Sequence, residues 1–102
     1  MKTKVLFLDI DGTLVDFQGK IPESAKEALI RAKERGHHLV LCTGRTRFQV
    51  YPWLLDYGLD GLITGAGAQV EAGRELLCRH LVKQDSLAKA VAFFERIRAP
   101  YY

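Results

Sequence analysis

An apolar run that ends in two closely spaced carboxylates constrains this chain more than any other feature. Residues 5–8 are bulky and apolar, and Asp9 and Asp11 come just after them, followed at once by Gly12. Such a run predicts a strand over about residues 4–10 that is buried on both faces and turns sharply at the glycine. Ligands collect beyond the carboxyl ends of strands in α/β folds, so the two acids are expected where chemistry occurs. Unpaired carboxylates there are costly, and a hard cation such as Mg²⁺ is a natural compensator.

Helix and strand signals alternate after this run. Pro22 and the apolar spacing that follows it predict a helix, with the proline in its first turn and Gly36 just past its end. Further signals predict a strand over residues 38–42, a helix over about residues 47–57 that Pro52 interrupts or starts late, and a strand over residues 61–64. The β-α-β-α-β order predicts an α/β fold with a three-layer, Rossmann-like parallel sheet joined by right-handed crossovers. We expect the three strands to lie side by side with the first in the centre.

The pattern changes after residue 64. Residues 69–71 and 75–77 flank a turn and predict a hairpin. An amphipathic helix follows, with Asp85 or Ser86 as the expected N-cap. The rest of the chain shows no internal repeat.

Composition limits the classes of partner. The chain has 102 residues and a net charge of +3, with basic and acidic residues interleaved. One domain at most is expected, with an anionic small-molecule substrate and no nucleic-acid partner. The apolar stretches are too short to cross a bilayer, so no membrane partner is expected. Cys42 and Cys78 are interpreted as reduced thiols of a cytoplasmic protein, with Cys42 buried in its strand.

Polar groups gather at the predicted ends of all three strands. The first strand supplies the two acids, the second supplies Thr43, Gly44 and Arg45, and the third supplies residues 64–67. A threonine hydroxyl and a glycine N–H at a strand end can hold phosphate oxygens. Two alternatives stay open: Thr43 as a plain helix cap and Arg45 as a solvated side chain.

Residues 9–15 and residues 43–45 resemble motifs I and II of the haloacid dehalogenase superfamily of phosphohydrolases, in its Cof-type branch. The resemblance implies that Asp9 is the nucleophile that forms an aspartyl-phosphate. It implies that Asp11 is the general acid and then the general base, and that Asp9 and Asp11 hold Mg²⁺, Asp11 through its backbone carbonyl. Residues expected to contact the phosphoryl group are Gly12, Thr43, Gly44 and Arg45. The implied function is Mg²⁺-dependent hydrolysis of a small phosphorylated metabolite, with sugar phosphates as one class.

Two departures from the family pattern matter. The branch often carries Asn-Gly-Ala after the third strand, where this chain has Ala66 in place of the asparagine. The motif III lysine and the motif IV acidic pair have no match, because Lys83 and Lys89 lie in the wrong context. The resemblance therefore implies the front portion of such an enzyme, with its core in residues 1–80 and the start of an α+β C2 cap in residues 81–102. These residues alone are expected to be a poor catalyst, and an uncovered sheet edge is expected to favour self-association.

Two other functions remain open at this point. A phosphomutase would use the same chemistry, but mutases of the superfamily usually carry their cap between motifs I and II. Only roughly thirty residues separate Asp11 from Thr43, which is enough for a loop and one crossover helix. A non-catalytic phosphate-binding or interaction module is the second alternative, since half of the family's active site has no match.

Overall fold

Five strands form one sheet in the computed structural model, which describes residues 2–101. The strands are β1 (Val5–Leu8), β2 (His38–Cys42), β3 (Gly61–Thr64), β4 (Gln69–Ala72) and β5 (Glu75–Arg79). The α-helices of the described residues are α1 (Glu23–Glu34) and α2 (Gln84–Arg96), and short 3₁₀ turns lie at Arg47–Gln49, Pro52–Tyr57 and Gly65–Gly67. The predicted α/β fold class, the third strand and the hairpin are confirmed.

The order of the strands corrects one prediction. β1 pairs with β2 and β2 pairs with β3, both in parallel. The full order is β1-β2-β3-β4-β5, so β2 and not β1 lies between the other two parallel strands. Both crossovers move the chain in the same direction across the sheet, which leaves β1 at an edge among the described residues. The hairpin β4–β5 joins β3 in antiparallel fashion, and the predicted parallel sheet is therefore mixed.

The core lies on one face of the sheet. Leu39 and Leu41 of β2 are fully buried and pack in one cluster with Leu29 of α1 and with Leu54. Two right-handed crossovers in the same direction place their connections on the same face, so the described residues supply two of the three predicted layers. Side chains alternate along a strand, and Cys42 therefore points to the face opposite Leu41 and is exposed. The prediction that Cys42 is buried is wrong for this reason.

The first strand shows the same alternation. Val5 is 50% exposed and Phe7 is 63% exposed, whereas Leu6 and Leu8 pack against the core. The prediction that this strand is buried on both faces is therefore wrong for the described residues. A continuous apolar run does not distinguish a strand covered on both faces from one covered on a single face.

Prolines and glycines determine how the connections are built. Pro22 is the N-cap of α1 rather than part of its first turn, and Gly36 follows the helix with a φ of +83° as expected. The α-helix predicted over residues 47–57 is wrong, but the interruption expected at Pro52 is confirmed, because proline lacks an N–H and keeps Tyr51 out of the helical region at ψ 124°. The chain there forms two 3₁₀ turns instead.

The segment after β5 extends away from the core. α2 begins at Gln84 after Lys83, so the predicted caps at Asp85 and Ser86 are wrong, and none of the helix's residues is buried. The described residues span 55 × 31 × 18 Å. The division of the chain into a core and the start of a cap at residue 80 stays a prediction. Met1, the first residue of the predicted core, and Tyr102, the last residue of the predicted cap segment, lie outside the described residues. No helix within residues 2–101 has the length and apolarity needed to cross a membrane.

Candidate active site

The turn after β1 is wound around one buried residue. Ile10 is fully buried, and its carbonyl accepts hydrogen bonds from the N–H groups of Leu14 at 3.0 Å and Val15 at 2.9 Å. Gly12 adopts a φ of +76° and donates its N–H to the carbonyl of Val15 at 2.9 Å. This left-handed conformation favours glycine, and it confirms the sharp turn expected there. Ile10 thus anchors the segment that carries the two acids.

The loop after β2 is tied to the end of β3. Thr43 is 5% exposed, and its Oγ1 accepts a hydrogen bond from the N–H of Arg45 at 3.0 Å. The Ala66 N–H donates to the Thr43 carbonyl at 3.0 Å, and the Gly65 N–H donates to the Arg45 carbonyl at 2.7 Å. Gly44 lies between the two anchored residues with open space beside its Cα. The loop is therefore a rigid support at the carboxyl end of the parallel strands, the same end as Asp9, as predicted.

Arg45 forms a bidentate ion pair with the carboxylate of Asp11. Its Nε donates to Asp11 Oδ2 at 2.6 Å and its Nη2 donates to Asp11 Oδ1 at 2.8 Å. These hydrogen bonds lower the pKa of Asp11, against a small opposing effect of burial, and the pKa of Arg45 is raised in turn. The Asp11 side chain is 53% exposed and the Arg45 side chain is 30% exposed, so solvent reaches the pair. The contact of Arg45 with a phosphoryl group stays a prediction.

Two further residues hold the Arg45 guanidinium, and sequence reasoning missed both. Arg45 Nη1 donates to the carbonyl of Gln49 at 3.0 Å, and Nη2 donates to the hydroxyl of Tyr51 at 3.1 Å. The Tyr51 ring also lies under the guanidinium, with its centroid 4.6 Å from Cζ. Part of this was readable, because Thr46 followed three residues later by Gln49 is a helix-start pattern, and the Thr46 N–H indeed donates to Gln49 Oε1 at 3.2 Å. No local pattern indicated the contact with Tyr51.

The oxygen atoms near Asp9 suit a hard cation. Asp9 is exposed directly after β1, and the Asp11 carboxylate is engaged by Arg45, which leaves the Asp11 backbone carbonyl as the second donor. Mg²⁺ prefers oxygen ligands, so this pair fits the ion chemically, but it supplies only part of an octahedral shell. Within residues 2–101, no group of three or more His, Cys, Asp or Glu side chains is placed to hold a metal ion.

At the end of β3, backbone groups and not side chains bind the neighbouring loop of Thr43 and Arg45. Thr64 is fully buried, and its hydroxyl has no hydrogen-bond partner among the described residues. Ala66, where the Cof-type branch often has asparagine, adopts φ +54° and ψ +37°. Asparagine tolerates this left-handed conformation better than alanine does, so alanine is the more strained residue at this position.

Comparisons with known proteins show the family to which this chain is similar. The chain matches the family described as haloacid dehalogenase-like hydrolase over residues 6–102. It is 33% identical over 89 residues to the 5-amino-6-(5-phospho-D-ribitylamino)uracil phosphatase YwtE of Bacillus subtilis, covering 87% of this chain and 31% of that protein. It is 40% identical over 60 residues to the pyridoxal phosphate phosphatase YbhA of Escherichia coli, covering 59% of this chain and 22% of that protein.

A solved structure extends the comparison to the fold. The sugar phosphatase BT4131, of HAD subclass IIB, superposes with a TM-score of 0.78 at 34% identity, covering 93% of this chain and 38% of that one. The chain therefore spans about a third or less of the length of the relatives described here.

Proposed function

The chain belongs to the haloacid dehalogenase-like hydrolases, and we propose that the whole protein is a Mg²⁺-dependent phosphatase of small phosphorylated metabolites. The observation that carries the proposal is the juxtaposition at the carboxyl end of the sheet. There the turn with Asp9 and Asp11 meets the anchored loop of Thr43 and Arg45 through a two-point ion pair. Two elements far apart in sequence thus meet at one end of the sheet, which supports the proposed roles of Asp9 as nucleophile, Asp11 as proton carrier and the Thr43 loop as phosphate site.

The proposed reaction has two steps. In the first, the Asp9 carboxylate attacks phosphorus, the bond from phosphorus to the leaving oxygen breaks, and the Asp11 carboxyl group donates its proton to that oxygen. In the second, Asp11 takes a proton from water as the water oxygen attacks the aspartyl-phosphate, which releases phosphate and restores Asp9. Bound Mg²⁺, held by the Asp9 carboxylate and the Asp11 carbonyl, would offset the negative charge of the phosphoryl oxygens.

Arg45 has two parts in this proposal. Its ion pair with Asp11 favours the charged carboxylate, whereas Asp11 has to carry a proton in the first step. The phosphoryl oxygens of a bound substrate offer the guanidinium another acceptor, and Arg45 is well suited to bind them because its donors form a planar fork. Substrate binding thus loosens the grip on Asp11 at the moment when the acid is needed. Thr43 and the Gly44 N–H complete the phosphoryl contacts, whereas the Gly12 N–H is already donated to the Val15 carbonyl.

The substrate class follows from the relatives and from the site. YwtE and YbhA are named for phosphorylated small molecules, and BT4131 is a sugar phosphatase. The Arg45 side chain is 30% exposed, and its positive charge suits a phosphoric monoester. We therefore propose a small phosphorylated metabolite as substrate, with sugar phosphates as the first class to screen.

The test of this function uses the full-length protein with p-nitrophenyl phosphate and Mg²⁺. Asp9→Asn should lose essentially all turnover and keep the wild-type fold, because the amide has the same shape but cannot attack phosphorus. Asp56→Asn, an exposed carboxylate in the Pro52–Tyr57 turn, is the matched control and should turn over like the wild type. Turnover by Asp9→Asn close to that of the control would contradict the proposal.

A further inference from the structure

The Arg45 guanidinium makes further contacts besides its ion pair with Asp11. The fork to Asp11 uses Nε and Nη2, and both are satisfied by the carboxylate oxygens. Nη2 also donates to the Tyr51 hydroxyl at 3.1 Å, and the Tyr51 ring packs against the guanidinium. A long arginine side chain samples many rotamers, and these added contacts reduce that freedom. These contacts with Tyr51 restrict the orientation of the guanidinium relative to Asp11. No local sequence pattern indicated them.

Tyr51 lies between Trp53 and the loop that contains Gly19. Its ring stacks on Trp53, with centroids 5.5 Å apart and planes inclined by 25°. On the hydroxyl side it meets Gly19, where an added Cβ would lie 3.3 Å from the Tyr51 hydroxyl oxygen. Gly19 belongs to a loop closed by Asp16, whose Oδ1 accepts the N–H groups of Gln18 and Lys20, each at 2.9 Å. The Tyr51 ring is therefore bordered by Trp53, and its hydroxyl by the loop that contains Gly19.

These contacts form a continuous path from the loop after β1 to the acid. It runs from Gly19 through Tyr51 and Arg45 to Asp11. The last two links are hydrogen bonds, and at the first an added Cβ on Gly19 would lie against the Tyr51 hydroxyl. We propose that Tyr51 is a positioning residue, whose hydroxyl group holds the Arg45 fork in the orientation that places the charged Asp11 carboxylate as the base of the second step. This inference rests on the phosphatase function proposed above.

The first test compares two tyrosine variants of the full-length protein, with p-nitrophenyl phosphate and Mg²⁺. Tyr51→Phe keeps the ring and removes only the hydroxyl. It should lower kcat by roughly three- to tenfold, the value of one ordinary hydrogen bond, and leave KM within about twofold. Tyr57→Phe is the control, because Tyr57 lies on the same turn and packs edge-on against Trp53. It should keep both constants.

Two outcomes of this comparison overturn the proposal. Equal kcat values for Tyr51→Phe and Tyr57→Phe would show that the hydroxyl does not act on catalysis. A higher KM for Tyr51→Phe with kcat unchanged would mean that the hydroxyl serves substrate binding and not the placement of Asp11. A merely structural role would lower the melting temperature without lowering the kcat of the folded enzyme.

A second test moves Tyr51 from the other side. Gly19→Ala introduces a methyl group against the Tyr51 hydroxyl, whereas Gly36→Ala places one in open space. Both glycines have strongly positive φ values, +76° and +83°, so both variants carry similar backbone strain. Both should lose stability, but only Gly19→Ala should lower kcat. An equal loss of kcat in the two variants would contradict the path from Gly19 to Asp11.

A third measurement keeps this inference separate from the proposed function. If the wild-type protein hydrolyses no phosphomonoester, the phosphatase proposal fails, and nuclear magnetic resonance of the Arg45 Nε–H group decides the positioning role. That N–H is donated to Asp11 at 2.6 Å and should exchange slowly with solvent in the wild type and in Tyr57→Phe. It should exchange at least severalfold faster in Tyr51→Phe. Equal exchange rates in all three proteins would overturn the inference.

Discussion

A carboxylate–cation pair lies at each end of the parallel strands, and the two pairs are built differently. At the carboxyl end, Asp11 is held by Arg45 through side-chain contacts. At the amino end, Asp60 accepts hydrogen bonds from Lys33 Nζ at 2.8 and 3.0 Å and also from the Leu39 N–H at 2.8 Å. Asp60 therefore connects the end of α1 to the start of β2, whereas Asp11 touches its partner only through the fork.

Exposure separates the two pairs further. The Asp60 and Lys33 side chains are each 31% exposed, and the Asp11 side chain is 53% exposed. An exposed ion pair contributes little to stability, and a less exposed one that also binds backbone contributes more. Asp60 thus serves the fold, and Asp11 keeps a partner that a ligand can replace. The same kind of ion pair gives a structural connection at one end of the sheet and, in the proposed mechanism, the proton carrier at the other.

The largest expected effect is on turnover at the carboxyl end. Asp11→Asn removes the group that carries protons, and it should lower kcat by about 10²- to 10⁴-fold. It should change the free energy of unfolding by about 1 kcal/mol at most, because the pair is exposed. Steady-state kinetics and urea denaturation of the full-length protein measure the two quantities. A large loss of stability with turnover preserved would reverse the roles of the two pairs.

The amino end should show the opposite result. Asp60→Asn leaves Lys33 without its partner, and it should lower the free energy of unfolding by about 1–3 kcal/mol. The kcat of the folded enzyme should stay at the wild-type value, because Asp60 lies at the far end of the strands. Asp56→Asn serves again as control and should unfold like the wild type. Loss of turnover in folded Asp60→Asn would mean that the two ends are coupled.

Lowering the pH should remove the contribution of Asp60 to the free energy of unfolding. Burial raises its pKa, but the hydrogen bonds from Lys33 and from the Leu39 N–H outweigh burial and bring the pKa of Asp60 to about 2 in the folded chain. An unfolded aspartate has a pKa of about 3.9, so the stabilisation is complete above about pH 5 and is lost as the pH falls towards 2. The difference in unfolding free energy between wild type and Asp60→Asn should shrink over that range. A difference that stays constant from neutral to acid pH would show that ionisation of Asp60 is not its source.

The smallest effect concerns the turn that supports Thr43. Ala66→Gly removes the strain of a left-handed alanine, worth about 1–2 kcal/mol, and loses part of it to the greater freedom of unfolded glycine. We expect a net gain of about 0.5 kcal/mol in the free energy of unfolding. Ala68→Gly is the matched control, since Ala68 has a right-handed backbone at φ −67° and should lose stability on the same change. Destabilisation by both changes would show that Ala66 is not strained.

Local signals predicted the features that short segments determine. The hairpin, β3 and the turn at Gly12 were readable because glycines and alternating residues act within a few positions. The interruption at Pro52 was predicted too, since proline restricts its neighbour wherever it occurs. What sequence reasoning missed depends on distant partners. β1 lies at an edge because of the direction of both crossovers, and the grip of Arg45 on Asp11 joins residues 34 positions apart.

The location of the phosphoryl group in Asp11→Asn tests the central claim most directly. With p-nitrophenyl phosphate, whose leaving group needs little protonation, attack by Asp9 should still proceed, whereas the second step lacks its base. Acid quenching followed by peptide mass spectrometry should find the phosphoryl group on the peptide that contains Asp9. It should find none in the double variant that also carries Asp9→Asn. A phosphoryl group on any other residue, or trapping that survives the loss of Asp9, would contradict the account.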